Sequence, residues 1–184
     1  EMVASQVAEM TRMQDEVITG IANLIESRDG STGLHVKNTQ NYVQILTKAL
    51  REKGMYPDIL DHNYELNTVK ASVLHDIGKI KTPDAILLKP GRLTDEEFEV
   101  MKQHTVAGCE IIDRIIGNVE HEEYVDIARK IARYHHERWD GTGYPDGLSG
   151  EEIPLCARIM ALADVFDALY QDRCYKKAIR PASK

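Results

Sequence analysis

The chain has 184 residues, with 30 Asp and Glu against 23 Lys and Arg and a net charge of −7 at neutral pH. With 42% hydrophobic and 29% charged residues, it reads as one soluble globular domain able to bury a core, and not as a disordered chain. The acidic balance excludes sequence-independent binding of extended DNA or RNA, which needs a basic face; a small anionic ligand stays open only if local cations override the global repulsion.

The longest run without Asp, Glu, Lys or Arg is the ten residues Asn38 to Thr47, far short of a bilayer span, and no stretch reads as a signal peptide. The chain begins with Glu1, as a fragment does. Cys109, Cys156 and Cys174 are scattered with no CxxC spacing. That fits buried thiols in a reducing compartment, so a cytoplasmic location is expected.

In chain order, Val3, Val7, Met10, Gln14, Val17, Ile21 and Leu24 step by four and three residues as an a/d heptad does, with Gln14 the one polar interruption. Two readings stand: an amphipathic helix packed on its own domain, or a short parallel coiled coil continuing from an upstream domain. Val36, Thr39, Val43, Leu46 and Leu50 predict a second helix, stopped by Gly54 and Pro57. Leu66, Val69, Val73, Leu74 and Ile77 predict a third, ending at Gly78 just after His75 and Asp76. Lys81 to Gly91 holds two prolines and a glycine and reads as a loop.

Thr94 followed by Glu97 is a capping box that starts a fourth helix, which carries His104 and runs to Gly117. Val125 to Tyr134 predicts a helix delivering His135 and His136. Glu137 to Pro154 is irregular and rich in glycine, and a loop of that length in a compact domain is usually functional. A last helix is expected from about Leu155 to Tyr170. No segment alternates with strand period, so the fold class is all-α.

Of seven histidines, His62 and His121 sit among acids and polar groups and read as surface residues. His35, His75, His104, His135 and His136 lie at or near helix positions, and Asp164 falls in the apolar run Ile159 to Ala163 and beyond, where an unpartnered carboxylate is costly. With Asp76 they make five imidazoles and two carboxylates. That is too many for one structural ion and suited to two ions of Fe, Mn, Ni or Zn type sharing a bridging carboxylate.

These residues resemble a known family. His35, then His75-Asp76, then Asp164 follow the order of the HD superfamily of metal-dependent phosphohydrolases, and the stretch His135-His136-Glu137-Arg138-Trp139-Asp140-Gly141-Thr142-Gly143-Tyr144-Pro145 is similar to the HD-GYP subfamily of cyclic-di-GMP phosphodiesterases. Arg28-Asp29, Thr32-Gly33-Leu34-His35, His75 to Lys79, Asp164 to Leu169 and Asp172 to Lys176 complete the match.

The resemblance implies an HD-domain helical bundle over residues 28–184, with residues 1–27 as a linker helix able to dimerise it. It implies a first metal held by His35, His75, Asp76 and Asp164, and a second bridged by Asp76 and held by His104, His135 and His136. Lys79 is expected to reach a phosphoryl oxygen and to act with Asp76 in catalysis, Arg173 and Lys176 to contact phosphate, and Tyr144 to shape the pocket rim.

The implied reaction is hydrolysis of cyclic-di-GMP to pGpG or GMP by a hydroxide bridging two divalent ions, Fe or Mn first and Ni or Zn next. Family members often carry Glu four residues before the first histidine; here that residue is Ser31, which disfavours a third ion. The competing readings are a phosphodiesterase for another cyclic dinucleotide such as 3′3′-cGAMP, a diiron oxygenase, and a non-catalytic sensor. An upstream sensory or receiver domain is the expected regulatory partner. Glu137 is expected to orient a ligand histidine, Asp140 to start a tight turn, and Asp167 to support the site from behind.

Overall fold

The computed structural model describes residues 2–29, 34–117 and 122–170. Among them the regular elements are α1 (Met2–Ser27), α2 (His35–Glu52), α3 (His62–Ala71), α4 (Asp84–Leu87), α5 (Asp95–Ile116), α6 (Glu122–Tyr134) and α7 (Leu155–Tyr170), with 3₁₀ turns at Ser72–Leu74, Ile77–Lys81 and Gly150–Glu152. The only strand-like pairing among these residues is an isolated bridge between Asp140 and Ser149. The expected all-α class holds. No helix of the described residues is long and apolar enough to cross a membrane.

The helices form because each presents one apolar stripe to a shared core. α5 packs on α6 and on the 77–81 turn, α2 lies between α3 and α7, and α6 closes against α3 and α7. Val43, Ala71, Ile112, Ile127, Ala128, Ile131, Cys156, Met160 and Ala163 are the centre of that core. Each large aliphatic side chain there contributes about 1.5–3 kcal/mol by leaving water. The Thr94–Glu97 capping box is formed in both directions and fixes the start of α5. Asp61 caps α3 by accepting from the Tyr64 amide.

Two details differ from the periodicity. The third helix does not run on to Gly78. It ends at Ala71, and the chain continues in 3₁₀ turns with His75 and Asp76 between them. Ser72 Oγ donates to the Val69 carbonyl at 2.8 Å, and the bonds from His75 N to Ser72 O and from Lys79 N to Asp76 O span three residues instead of four. The stretch from Lys81 to Gly91 is not all loop either, since α4 makes one turn within it.

Gly78 lets this tightened segment lie directly on α5: a Cβ there would fall 1.8 Å from the His104 carbonyl oxygen and 2.5 Å from the Gly108 nitrogen. Arg28, at the end of α1, clasps the same segment. Its guanidinium donates to the carbonyls of Lys79, Ile80 and Thr82 and to the Asp84 carboxylate at 2.6 Å.

Candidate metal centre

Five segments supply the site. His75 and Asp76 come from the break between the 3₁₀ turns, His104 from the middle of α5, His135 and His136 from the residues just past α6, and His35 and Asp164 from the start of α2 and the middle of α7. Among the described residues, the ligand atoms of Asp76, His104, His135 and His136 lie within 4.8 Å of one another, and those of His35, His75 and Asp164 do the same. Asp76 stands between the groups. Its Oδ1 is 3.3 Å from His104 Nε2 and 3.6 Å from His135 Nε2, while its Oδ2 is 3.4 Å from His75 Nε2. Asp164 Oδ1 lies 3.4 Å from His35 Nε2.

The protonation of these rings follows from their other side. Nδ1 of His75, His104 and His135 faces a backbone carbonyl, of Ser72 at 2.9 Å, Met101 at 2.7 Å and Ile131 at 2.9 Å. A carbonyl only accepts, so each Nδ1 carries a proton and each ring turns its Nε2 toward Asp76. The Nε2 atoms of His75, His104 and His135 and Oδ1 of Asp76 are buried with no hydrogen-bond partner. These nitrogens lie 3.3–3.6 Å from the carboxylate oxygens of Asp76, a buried arrangement that calls for a cation among them. Neighbouring ligands of an ion bound at about 2.1 Å are spaced roughly 3.0–3.6 Å apart. The donor set therefore fits divalent metal binding.

The electrostatics call for positive charge as well. Although burial opposes it, the Lys79 ammonium and the His75 ring hold the Asp76 carboxyl well below the usual carboxylate range. Burial pushes His75 down, but the adjacent Asp76 and Asp164 carboxylates win and raise it to about 9. Burial together with the neighbouring His135 keeps His136 well below the usual imidazole range, ready to offer a lone pair.

Lys79 Nζ lies 2.7 Å from Asp76 Oδ2 and 2.9 Å from Asp29 Oδ2. The lysine expected at a phosphoryl oxygen is thus already engaged by two carboxylates. Tyr144 lies at the rim, its ring 4.8 Å from that of His136 and 6.4 Å from that of His104. Ser31, Thr32, Gly33, His121, Arg173 and Lys176 lie outside the described residues. His62 is exposed and away from the cluster, as expected.

Three further carboxylates around the site have partners that only the structure gives. Asp167 Oδ2 accepts from His35 Nδ1 at 2.6 Å, and Asn38 donates to its other oxygen at 3.1 Å. Asp167 thus fixes the His35 ring with Nε2 facing inward, and the i+3 spacing from Asp164 was the signal for it. Glu26 was missed. Buried at the end of α1, it accepts from the Val36 amide at 3.2 Å and sets Oε1 3.6 Å from His35 Nε2. The signal was a carboxylate next to the core residue Ile25. Glu137 does not orient a histidine. Its Oε1 instead accepts from the amides of Asp146 and Gly147 and so braces the glycine-rich loop. Asp140 starts the turn as expected, accepting from the Thr142 amide and hydroxyl.

Asp167→Asn is expected to weaken metal binding by about 10- to 100-fold, because the amide loses the charge that steadies His35. A metal titration followed by calorimetry reads this directly, and unchanged affinity would remove Asp167 from the site.

Comparison with known proteins agrees with this geometry. The HD domain family matches residues 9–183. This chain belongs to the HD domain family. It is 46% identical over 178 residues to a probable cyclic di-GMP phosphodiesterase of Vibrio cholerae serotype O1, covering 95% of this chain and 40% of the relative. It is 38% identical over 179 residues to the cyclic di-GMP phosphodiesterase response regulator RpfG of Xanthomonas campestris pv. campestris, covering 97% and 44%. A 3′3′-cGAMP-specific phosphodiesterase 2 of Vibrio cholerae is 37% identical over 170 residues, covering 92% and 30%. The chain spans less than half the length of each of these relatives.

Proposed function

We propose that this chain hydrolyses the phosphodiester bonds of cyclic-di-GMP at a two-ion centre, with residues 28–184 as the catalytic domain. The observation that carries the reading is Asp76, whose Oδ1 faces His104 and His135 while its Oδ2 faces His75. His35, His75, Asp76 and Asp164 would hold one divalent ion and Asp76, His104, His135 and His136 the other, with Fe or Mn favoured by the mixed imidazole and carboxylate set. Such ions supply Lewis acidity, lowering the pKa of water to near neutrality and neutralising the phosphoryl oxygens.

The chain's own residues do the rest. Carbonyls of Ser72, Met101 and Ile131 keep the histidine rings oriented without rearrangement. Lys79 adds a fixed positive charge beside Asp76 for the phosphoryl group as negative charge develops. Arg173 and Lys176 are basic groups for the second phosphate. Relatives named for cyclic di-GMP, at 38% to 47% identity, outrank those named for 3′3′-cGAMP, at 32% to 37%, which supports the former as substrate.

The test is anaerobic loading with Fe or Mn, incubation with cyclic-di-GMP and 3′3′-cGAMP, and chromatography of the products. Linear pGpG or GMP formed without O₂ is the expected result. Turnover that stops without O₂ would mean an oxygenase, and no product from either nucleotide would overturn the reading.

The chain's partner in this reading includes a second copy. Met10, Met13, Val17, Ile21 and Leu24 are between 43% and 69% exposed, while α1 meets its own core through Ala22, Ile25 and Ile18. From Met10 to Leu24 the heptad stripe is therefore left facing solvent. Glu9, Arg12, Asp15 and Glu16 fall outside the a, d, e and g positions of that heptad, so two parallel copies meet without like-charge repulsion and with Gln14 against Gln14. Val17→Glu is expected to convert a dimer into a monomer in sedimentation equilibrium. A parent chain that is monomeric at every concentration would refute the pairing.

A further inference from the structure

The ring of Tyr144 does not end the aromatic row that begins in the metal cluster. From His136 the row passes to Tyr144, tilted by 32° at 4.8 Å, and then to Phe98 of α5, edge to face at 5.9 Å. Phe98 is 42% exposed, an open apolar face on an acidic molecule. Lys102, one turn further along α5, holds its ammonium 5.0 Å from the Phe98 ring centre and 5.7 Å from that of Tyr144. Its ion pair with Glu99, at 2.7 Å, lies at the surface, where such a pair holds the ammonium only weakly.

We propose that Phe98, Tyr144 and Lys102 form the seat for one guanine base of the substrate; this rests on the cyclic-dinucleotide reading above. A nucleotide that brings its phosphate to the histidine cluster places the attached base one ribose away, and this row leads outward from His136 through Tyr144 to Phe98. Phe98 offers the stacking face, and every base has a π-surface to lay on it. Tyr144 walls the seat on the cluster side. Lys102 supplies donors and no acceptor. It therefore suits guanine, whose O6 and N7 both accept, over adenine, which shows a donor at N6 beside its N7 acceptor.

The experiment uses the metal-loaded chain and steady-state kinetics. Phe98→Ala is expected to raise KM for cyclic-di-GMP by about 10- to 100-fold, the range that stacking on one aromatic ring supports, with kcat nearly constant. Phe98→Tyr should restore KM, and metal content should match the parent in both variants. Lys102→Met, which keeps the length of the side chain, should narrow the preference in kcat/KM for cyclic-di-GMP over cyclic-di-AMP.

An unchanged KM in Phe98→Ala, or a loss in kcat alone, overturns the seat. An unchanged nucleotide preference in Lys102→Met overturns the role of the lysine. A parent chain that cleaves no cyclic dinucleotide overturns the underlying reading, and the seat falls with it.

Discussion

Asp76→Ala is expected to lower hydrolysis by at least ~1000-fold and to leave the protein with a fraction of its metal. The magnitude follows from what one carboxylate does at once. It faces His75 on one side and His104 and His135 on the other, so its loss weakens both ion sites and not one. A thousandfold corresponds to about 4 kcal/mol of barrier, in the range that removing one charged contact to a developing transition state costs.

The fold should survive. Breaking a buried ion pair is severe, roughly 3–5 kcal/mol, when it strands a charge. Lys79, however, keeps Asp29 at 2.9 Å when Asp76 is gone. Elemental analysis and turnover measured on the same preparation check both halves. Turnover equal to that of the parent would sink the two-ion centre.

Gly78→Ala is expected to destabilise the chain by at least about 3 kcal/mol, the upper end of what overpacking usually costs. For a chain of this length that is a fall in Tm of roughly 6–12 °C. The added methyl would lie 1.8 Å from the His104 carbonyl oxygen and 2.5 Å from the Gly108 nitrogen. Both are backbone atoms of α5, so no side chain can swing aside. The 77–81 segment would have to lift off the helix, carrying Asp76 and Lys79 away from His104. A thermal melt reads the loss of stability, and a metal titration reads the displaced ligands. A melting point within a degree or two of the parent would show that the close approach of the two backbones is not needed.

The helices were legible because their signals are local. The capping box Thr94–Glu97, the apolar periodicity of α2 and α6, and the glycine-rich stretch after His136 each depend on residues a few positions apart. The break at Ala71 was not legible, because Val73, Leu74 and Ile77 continue a helical spacing. The break accompanies the close packing of Gly78 on α5, a contact between segments about thirty residues apart. Likewise Asp167 was visible as a carboxylate on the face of Asp164, but its bond to His35 spans 132 positions.

Residue identity and spacing along the chain determined the all-α class, the helix starts and the seven ligand-type side chains, since propensity, capping and motif order act over a few residues. Tertiary structure alone decided that Nδ1 of His75, His104 and His135 faces a carbonyl, that Lys79 is shared by Asp29 and Asp76, and that Glu137 braces a loop instead of a histidine. It also decided which face of α1 meets the core and which is left to solvent. Each of these depends on a group brought from a distant part of the chain, and hydrogen bonding and burial are properties of that assembled neighbourhood.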